Sequence, residues 1–569
     1  MFKNQPAGLY VLALANTGER FGYYTMLAIF LLFLQAKFGF DSTVSGQIYA
    51  VFLALVYFMP LIGGWVADKW SFSKCVVSGI CIMFVGYAIM ATPTEIRSTS
   101  SLVILCVSLL LIAIGTGLFK GNLQVMVGDL YNDPKYSSQR DAAFSLFYMA
   151  INVGSMFAPM AATAMCNLAM NAKGLVYNAD LPALCNKFLD GDIQGNEVVA
   201  KAAESGMNVG SDVAAWATEY ISTLSTGYSY AFAIACGSLI VSFLIYFLGR
   251  KTYAHILTNK KDDAKTAQAS AGPELTPAQT KARVVALLLV FAVVIFFWMV
   301  FHQNGATLTE FAKSCTSPEA GGWTRIGFNV WALLSIAVGV YALFNLFQTK
   351  STQGRVISGA LLVMVAWALW YFYSNTPNPL SGIQPQQYQQ FNPFYVVALT
   401  PVSLAIFGAL AKRKKEPSAP RKIGYGMILA GVAYAVMMLG SLSIVGTSAS
   451  VSPNWLISTY LLLTFAELLL SPMGISFVSK VAPPKLKGSM MGGWFAATAV
   501  GNYLVSIPMI LWGKIPLYLL WIILIAICLV AAAFIFMMMK RLEAATADAP
   551  ESAAAEVAGG EATAAEVEV

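Results

Sequence analysis

The chain has 569 residues, of which 58% are hydrophobic and 11% charged, and its mean hydropathy is +0.66. Soluble globular domains carry about 25% charged residues, so this composition excludes a water-soluble globular protein and defines a membrane protein. The formal net charge of +7 is scattered over loops and not gathered on a polar domain, which argues against nucleic acid as a partner.

A membrane-crossing helix needs about 20 mostly apolar residues. Stretches of that kind occur at 8–35, 44–68, 75–93, 101–129, 141–168, 227–249, 284–305, 327–348, 356–374, 393–411, 423–446, 455–479, 489–513 and 515–539. The first lacks a basic leader and a small-residue cleavage site and carries Glu19 beside Arg20, so it reads as a retained span. Between the fifth and sixth spans, the polar, acidic loop 169–226 contains helix-compatible runs such as EVVAKAAESG and is expected to form a small exterior cap or to stay mobile. The linker 250–283 then separates six spans (1–249) from eight (284–541). The tail 542–569 is Ala-rich, acidic and free of aromatic residues, a composition that predicts disorder.

Basic loops stay on the cytoplasmic side of a membrane. Lys69, Lys74, Lys135, Arg140, the linker, Lys350, Arg355, the cluster 412–422, Lys480, Lys485, Lys487, Lys540 and Arg541 fall on one side of the span pattern. The other side holds only Lys37, Arg97, three lysines in 169–226, Lys313, Arg325 and Lys514. Two cytoplasmic termini are therefore expected.

Of the eight cysteines, Cys166, Cys185 and Cys315 map to the exterior side, where Cys166 and Cys185 are candidates for a disulfide in an oxidising compartment. There is no CxxC pair and there are two histidines, so no structural zinc, haem or other cofactor is expected. GTGLFKG (115–121) looks superficially like a phosphate loop, but it lies within an apolar helix, where small residues serve close helix packing. Chemistry must come from polar groups inside the spans, each expensive there and normally turned to a cavity or a partner. They are Glu19, Arg20, Lys120, Asn152, His302, Asn392 and Glu467, drawn from both halves, and opposite charges from the two halves would line one central cavity.

Seven motifs then occur in order. ERFGYY (19–24) resembles the first-helix signature ExxERFxYY of the proton-dependent oligopeptide transporters, a branch of the major facilitator superfamily. GGWVADK (63–69), LFKGN (118–122), FSLFYMAINVG (144–154), FFWMVFHQNG (296–305), FNP (391–393) and AELLLSPMGISF with MMGGWF (466–477, 490–495) resemble that family's later motifs. The resemblance implies an all-α membrane fold of two six-helix bundles, with two additional helices here as an inserted hairpin at 327–374 and 14 helices in total. Family members from bacteria usually carry such a pair between the sixth and seventh helices, so this placement departs from the pattern.

By the same resemblance, Arg20 and Lys120 would hold a peptide carboxylate, and Glu467, with Asn152 and Asn392, its amino terminus. Tyr23, Tyr24, Tyr57, Trp298 and Trp494 would wall the side-chain pockets, and Ser471 follows Glu467 by one helical turn. Three departures bear on coupling: Asn16 stands for the first glutamate of the signature, Leu27 for an arginine and His302 for the seventh-helix acid that pairs with it. Glu19, Arg20, His302 and Glu467 are the candidates for proton coupling and gating. The function implied is import of di- and tripeptides by alternating access with proton symport. The partners are peptides, protons and the lipid bilayer, in a monomeric multi-pass protein of the inner membrane. Rival readings are a transporter of the same fold with weak or altered proton coupling or another small anionic or zwitterionic cargo, or a non-transporting nutrient sensor. No Ser/His/Asp set or metal cluster supports an enzyme.

Overall fold

The computed structural model describes residues 5–131, 133, 135–136, 140–257, 276–444, 450–483 and 486–547. Among them, fourteen helices are long and apolar enough to cross a membrane. In the first half these are α1 (Ala7–Phe38), α2 (Ser42–Lys69), α3 (Phe72–Ala91), α4 (Thr99–Asp129) and α5 (Arg140–Asn171). After two short helices, α6 (Leu181–Asp190) and α7 (Gly195–Glu204), comes α8 (Val213–Leu248). The second half holds α9 (Pro277–Phe301), continued by α10 (Thr307–Ser314), then α11 (Val330–Gln348), α12 (Thr352–Asn375), α13 (Phe391–Lys412), α14 (Ala419–Ser441) and α15 (Asn454–Val481). It ends with α16 (Lys487–Leu504), the short α17 (Ser506–Leu511), α18 (Leu517–Met537) and α19 (Met539–Ala547).

Local chemistry fixes several ends. Asp41 and Asp212 accept the Val44 and Ala215 N–H groups at the starts of α2 and α8, and Thr276 with Gln279 forms a capping box ahead of Pro277 at the start of α9. Buried apolar side chains fall into two clusters, one mainly from α1–α8 and one mainly from α9–α19. Small residues let the first-half helices touch. A Cβ on Gly79 would lie 2.7 Å from the Gly115 carbonyl oxygen, and one on Gly63 would collide with the Gly117 carbonyl. The glycines of 115–121 thus bring α4 against α2 and α3.

Two boundaries differ from the sequence expectations. α8 begins at Val213, well ahead of 227; its 36 residues span about 54 Å, more than the roughly 30 Å of a hydrocarbon core. Hydropathy misses that polar extension, which supports the cap. The cap itself is folded: Leu181, Cys185, Val198 and Ala202 are buried, and Asn186 Nδ2 donates to the Gln35 and Ala36 carbonyls of α1 at 3.2 and 3.0 Å. Cys166 and Cys185 are free buried thiols there. At the other end, α19 carries helix through Ala547, into the stretch expected to be a disordered tail, because Leu542 and Ala545 pack into the second cluster and Glu543 pairs with Arg421 at 2.7 Å. The rest of that tail, 548–569, and most of the linker, 258–275, lie outside the described residues.

The helix ends that carry α6 and α7 form the cap face, and those that carry the termini form the opposite, terminal face. α11 and α12 pack on each other, and α11 also packs on α13. Only Ser358 of α12 is buried, so that helix hangs on the outside of the second half.

Candidate substrate-binding cavity

A cavity of about 240 Å³ lies between the halves, with walls from α1, α2, α4 and α5 on one side and α9, α13, α15 and α16 on the other. Arg20, Tyr23, Tyr24, Tyr57, Lys120, Asn152, Trp298, His302, Asn392, Glu467, Ser471 and Trp494 all line it. Of the residues singled out for binding or coupling, Glu19 stands behind the wall. Its carboxylate accepts both Nε–H and Nη2–H of Arg20, each at 2.5 Å, while the guanidinium lies 4.6 Å from the Tyr23 ring centroid. That pairing uses one edge of the guanidinium and leaves the Nη1 donors.

Lys120 and Glu467 are in a different position. The Lys120 ammonium lies over the Tyr57 ring, 4.2 Å from its centroid, and no carboxylate of the described residues stands within 4.0 Å of it. Glu467 is 7% exposed and accepts from two neutral groups, Tyr148 Oη–H at 3.1 Å and Asn392 Nδ2–H at 3.0 Å. Asn392 Nδ2 also reaches Thr464 Oγ1 at 3.0 Å, which fixes its amide. Among the described residues one half therefore contributes a cation with no carboxylate, the other a carboxyl with no cation, and both face one space. Two further donors, Tyr23 Oη and Trp298 Nε1, are buried in the lining without a partner. Tyr148, Gln124, Asn304 and Gln389 also line the cavity and were not singled out from sequence. Tyr148 had a signal, since it precedes Asn152 by one helical turn in the fifth-helix motif.

Toward the cap face the cavity is roofed. His302 stacks on Trp298 (5.0 Å, 19°), donates from Nδ1 to Asn502 Oδ1 at 2.5 Å, and shares the lining with Leu27. The positions expected to hold a gate pair thus line the same cavity, as an apolar side chain and a hydrogen-bonded imidazole. Above them a polar seam joins the halves. Gln35 of α1 donates to Glu310 Oε2 at 2.8 Å, and Lys313 contacts Glu310 Oε1 at 2.7 Å and Gln35 Oε1 at 2.6 Å; Gln35 and Glu310 are buried and the Lys313 side chain is 7% exposed. Gln386 Nε2 reaches Thr163 Oγ1 at 2.9 Å, and Gln389 Nε2 reaches the Ala28 carbonyl at 3.2 Å. Lys313, expected as a loop base, belongs to this seam.

Two helical bundles that share one charged chamber define a secondary transporter of the major facilitator type. The sequence profile described as the POT family matches residues 73–167 and 366–517. Over those two stretches the chain is similar to that family of transporters. It is 28% identical over 529 residues to the uncharacterized transporter YclF of Bacillus subtilis, covering 90% of each chain. It is also 26% identical over 517 residues to dipeptide and tripeptide permease A of Edwardsiella piscicida, covering 87% of this chain and 84% of that one. Its fold matches a crystal structure of the peptide transporter POT in complex with alafosfalin, with a TM-score of 0.65, 21% identity and 96% of both chains covered.

Proposed function

We propose that this chain imports di- and tripeptides across the inner membrane by alternating access, driven by proton symport, with both termini in the cytoplasm and the monomer as the working unit. The observation that carries the reading is the pair of unmatched charges, Lys120 and Glu467, in one chamber. A buried charge without a counter-ion costs several kcal/mol, and a zwitterion of suitable length supplies both counter-ions at once. The peptide carboxylate would face Lys120 and the free Nη1 edge of Arg20, its ammonium Glu467. The aromatic walls accept varied side chains without strict readout. Relatives named as dipeptide and tripeptide permeases support the cargo.

For coupling, Glu467 is the group whose protonation changes what the chamber can hold. Protonated, it needs no counter-ion; ionised, it needs the substrate ammonium. Glu19 is committed to Arg20, and His302 to Asn502, which leaves them the roles of fixing the guanidinium and roofing the chamber. The test is uptake of labelled dialanine into proteoliposomes with an imposed proton gradient. Accumulation that needs the gradient and falls at least tenfold in Lys120→Ala and Glu467→Gln is expected; accumulation indifferent to the gradient removes symport, and full activity of both variants removes the binding mode.

A further inference from the structure

A second cavity, of about 490 Å³, lies within the first half, apart from the chamber. It is framed by the cap-face end of α1, the turn 92–98, the first turns of α4 and the outward part of α8. The wall is rich in hydroxyls, and Lys37 is its cation. Lys37, which the sequence places among the few exterior loop bases, is 4% exposed; its ammonium donates to Thr94 Oγ1 at 2.5 Å and sits 5.5 Å from the Phe33 ring centroid. No carboxylate of the described residues lies within 4.0 Å of it.

Two of the hydroxyls are unsatisfied. Ser225 and Ser229, one turn apart on α8, are 4% and 1% exposed, and neither Oγ has a hydrogen-bond partner. A buried polar group in that condition is destabilising until a ligand supplies its partner. The start of α4 adds backbone donors: its N-cap Ser98 makes no side-chain cap bond, and Ser101 in the first turn lines the wall. A buried cation, orphaned hydroxyls and an uncapped helix start suit an anion with several acceptor oxygens.

Depth narrows the choice. Just past the cavity, α4 turns Val103 and Val107 outward, 58% and 49% exposed. α8 is longer than the hydrocarbon core by about 24 Å, so its lipid-crossing part begins near Ser229. The mouth, where Ile104 and Ser222 are exposed, therefore opens sideways at headgroup level. The exposed Glu95 carboxylate on the rim favours a headgroup that carries an ammonium.

We propose that this cavity is a lipid site that takes the phosphodiester headgroup of a lipid in the cap-face leaflet, with Lys37 as counter-ion, Ser225 and Ser229 as hydroxyl donors and Glu95 facing the headgroup ammonium. The proposal stands whether or not the chain carries peptides. Native mass spectrometry of the full chain, titrated with phosphatidylethanolamine, phosphatidylglycerol or inorganic phosphate, tests it. We expect one tight phosphatidylethanolamine per chain, weakened at least tenfold by Lys37→Met and by the double change Ser225→Ala/Ser229→Ala, and an advantage over phosphatidylglycerol that closes in Glu95→Gln. The serine variant guards against misfolding, because losing two orphaned hydroxyls should leave the lipid-free melting temperature unchanged or higher while abolishing its rise on adding lipid. Equal lipid binding by wild type and both variants overturns the site. Tight inorganic phosphate binding without lipid binding reassigns it to a free anion and overturns the lipid claim, and preference for phosphatidylglycerol overturns the role of Glu95.

Discussion

Individual side chains divide into those that their neighbours satisfy and those that they leave for a ligand. Arg20 is matched by Glu19, whereas Glu467 has two neutral donors, so removing one should be felt directly. Tyr148→Phe keeps the ring and deletes the Oη–H; a hydrogen bond to a charged group is worth about 1.5–3 kcal/mol. Dialanine uptake by that variant is expected to show a KM raised about tenfold or more with normal expression; an unchanged KM would show that Tyr148 only packs. The charged members of this set were legible in the sequence, because a charge inside an apolar span stands out against its surroundings. Tyr148 was less so, since an aromatic residue in a span is ordinary until a partner four residues on is noticed. Lys313 and Lys37 were misplaced for the opposite reason: near a helix end, a buried lysine and a solvated one have the same sequence context.

Helices followed the same logic with a different blind spot. Apolar length and loop punctuation were enough to find every crossing element, including α11 and α12 between the seventh-helix motif and FNP. What hydropathy cannot see is helix outside the hydrocarbon, so the outward part of α8 and α19 were read as loop or tail, whereas α7 falls on the helix-compatible run EVVAKAAESG. Packing between elements sorts them further. Gly63→Val would drive a side chain into the α4 backbone, and overpacking of this kind costs about 1–3 kcal/mol or more. A lowered melting temperature in detergent is expected, and an unchanged one would mean that α2 and α4 can separate freely. α12 is the contrasting case. Trp367 and Trp370 are 64% and 63% exposed on its outer surface, so Trp367→Leu and Trp370→Leu are expected to stay within about 0.5 kcal/mol of wild type and to transport normally. Loss of uptake in either would assign the hairpin a part in the cycle.

For the molecule as a whole, the cap-face seam of Gln35, Glu310 and Lys313 must part if the chamber is to open on that side, because those side chains tie α1 to α10. Cysteines at positions 35 and 313, in a background with the exposed Cys81 and Cys106 replaced, should allow a short bismaleimide to lock the chain. Locked protein is expected to lose uptake yet still bind peptide from the terminal face, whereas full uptake after complete cross-linking would place the gate elsewhere. The central claim is that one chamber reads both ends of a zwitterion, and binding calorimetry with end-blocked ligands tests it most directly. Dialanine, N-acetyl-dialanine and dialanine amide are titrated against wild type, Glu467→Gln and Lys120→Ala. We predict that acetylation weakens binding to wild type at least tenfold but not to Glu467→Gln, and that amidation weakens binding to wild type but not to Lys120→Ala. Penalties that are the same size in all three proteins would contradict the account.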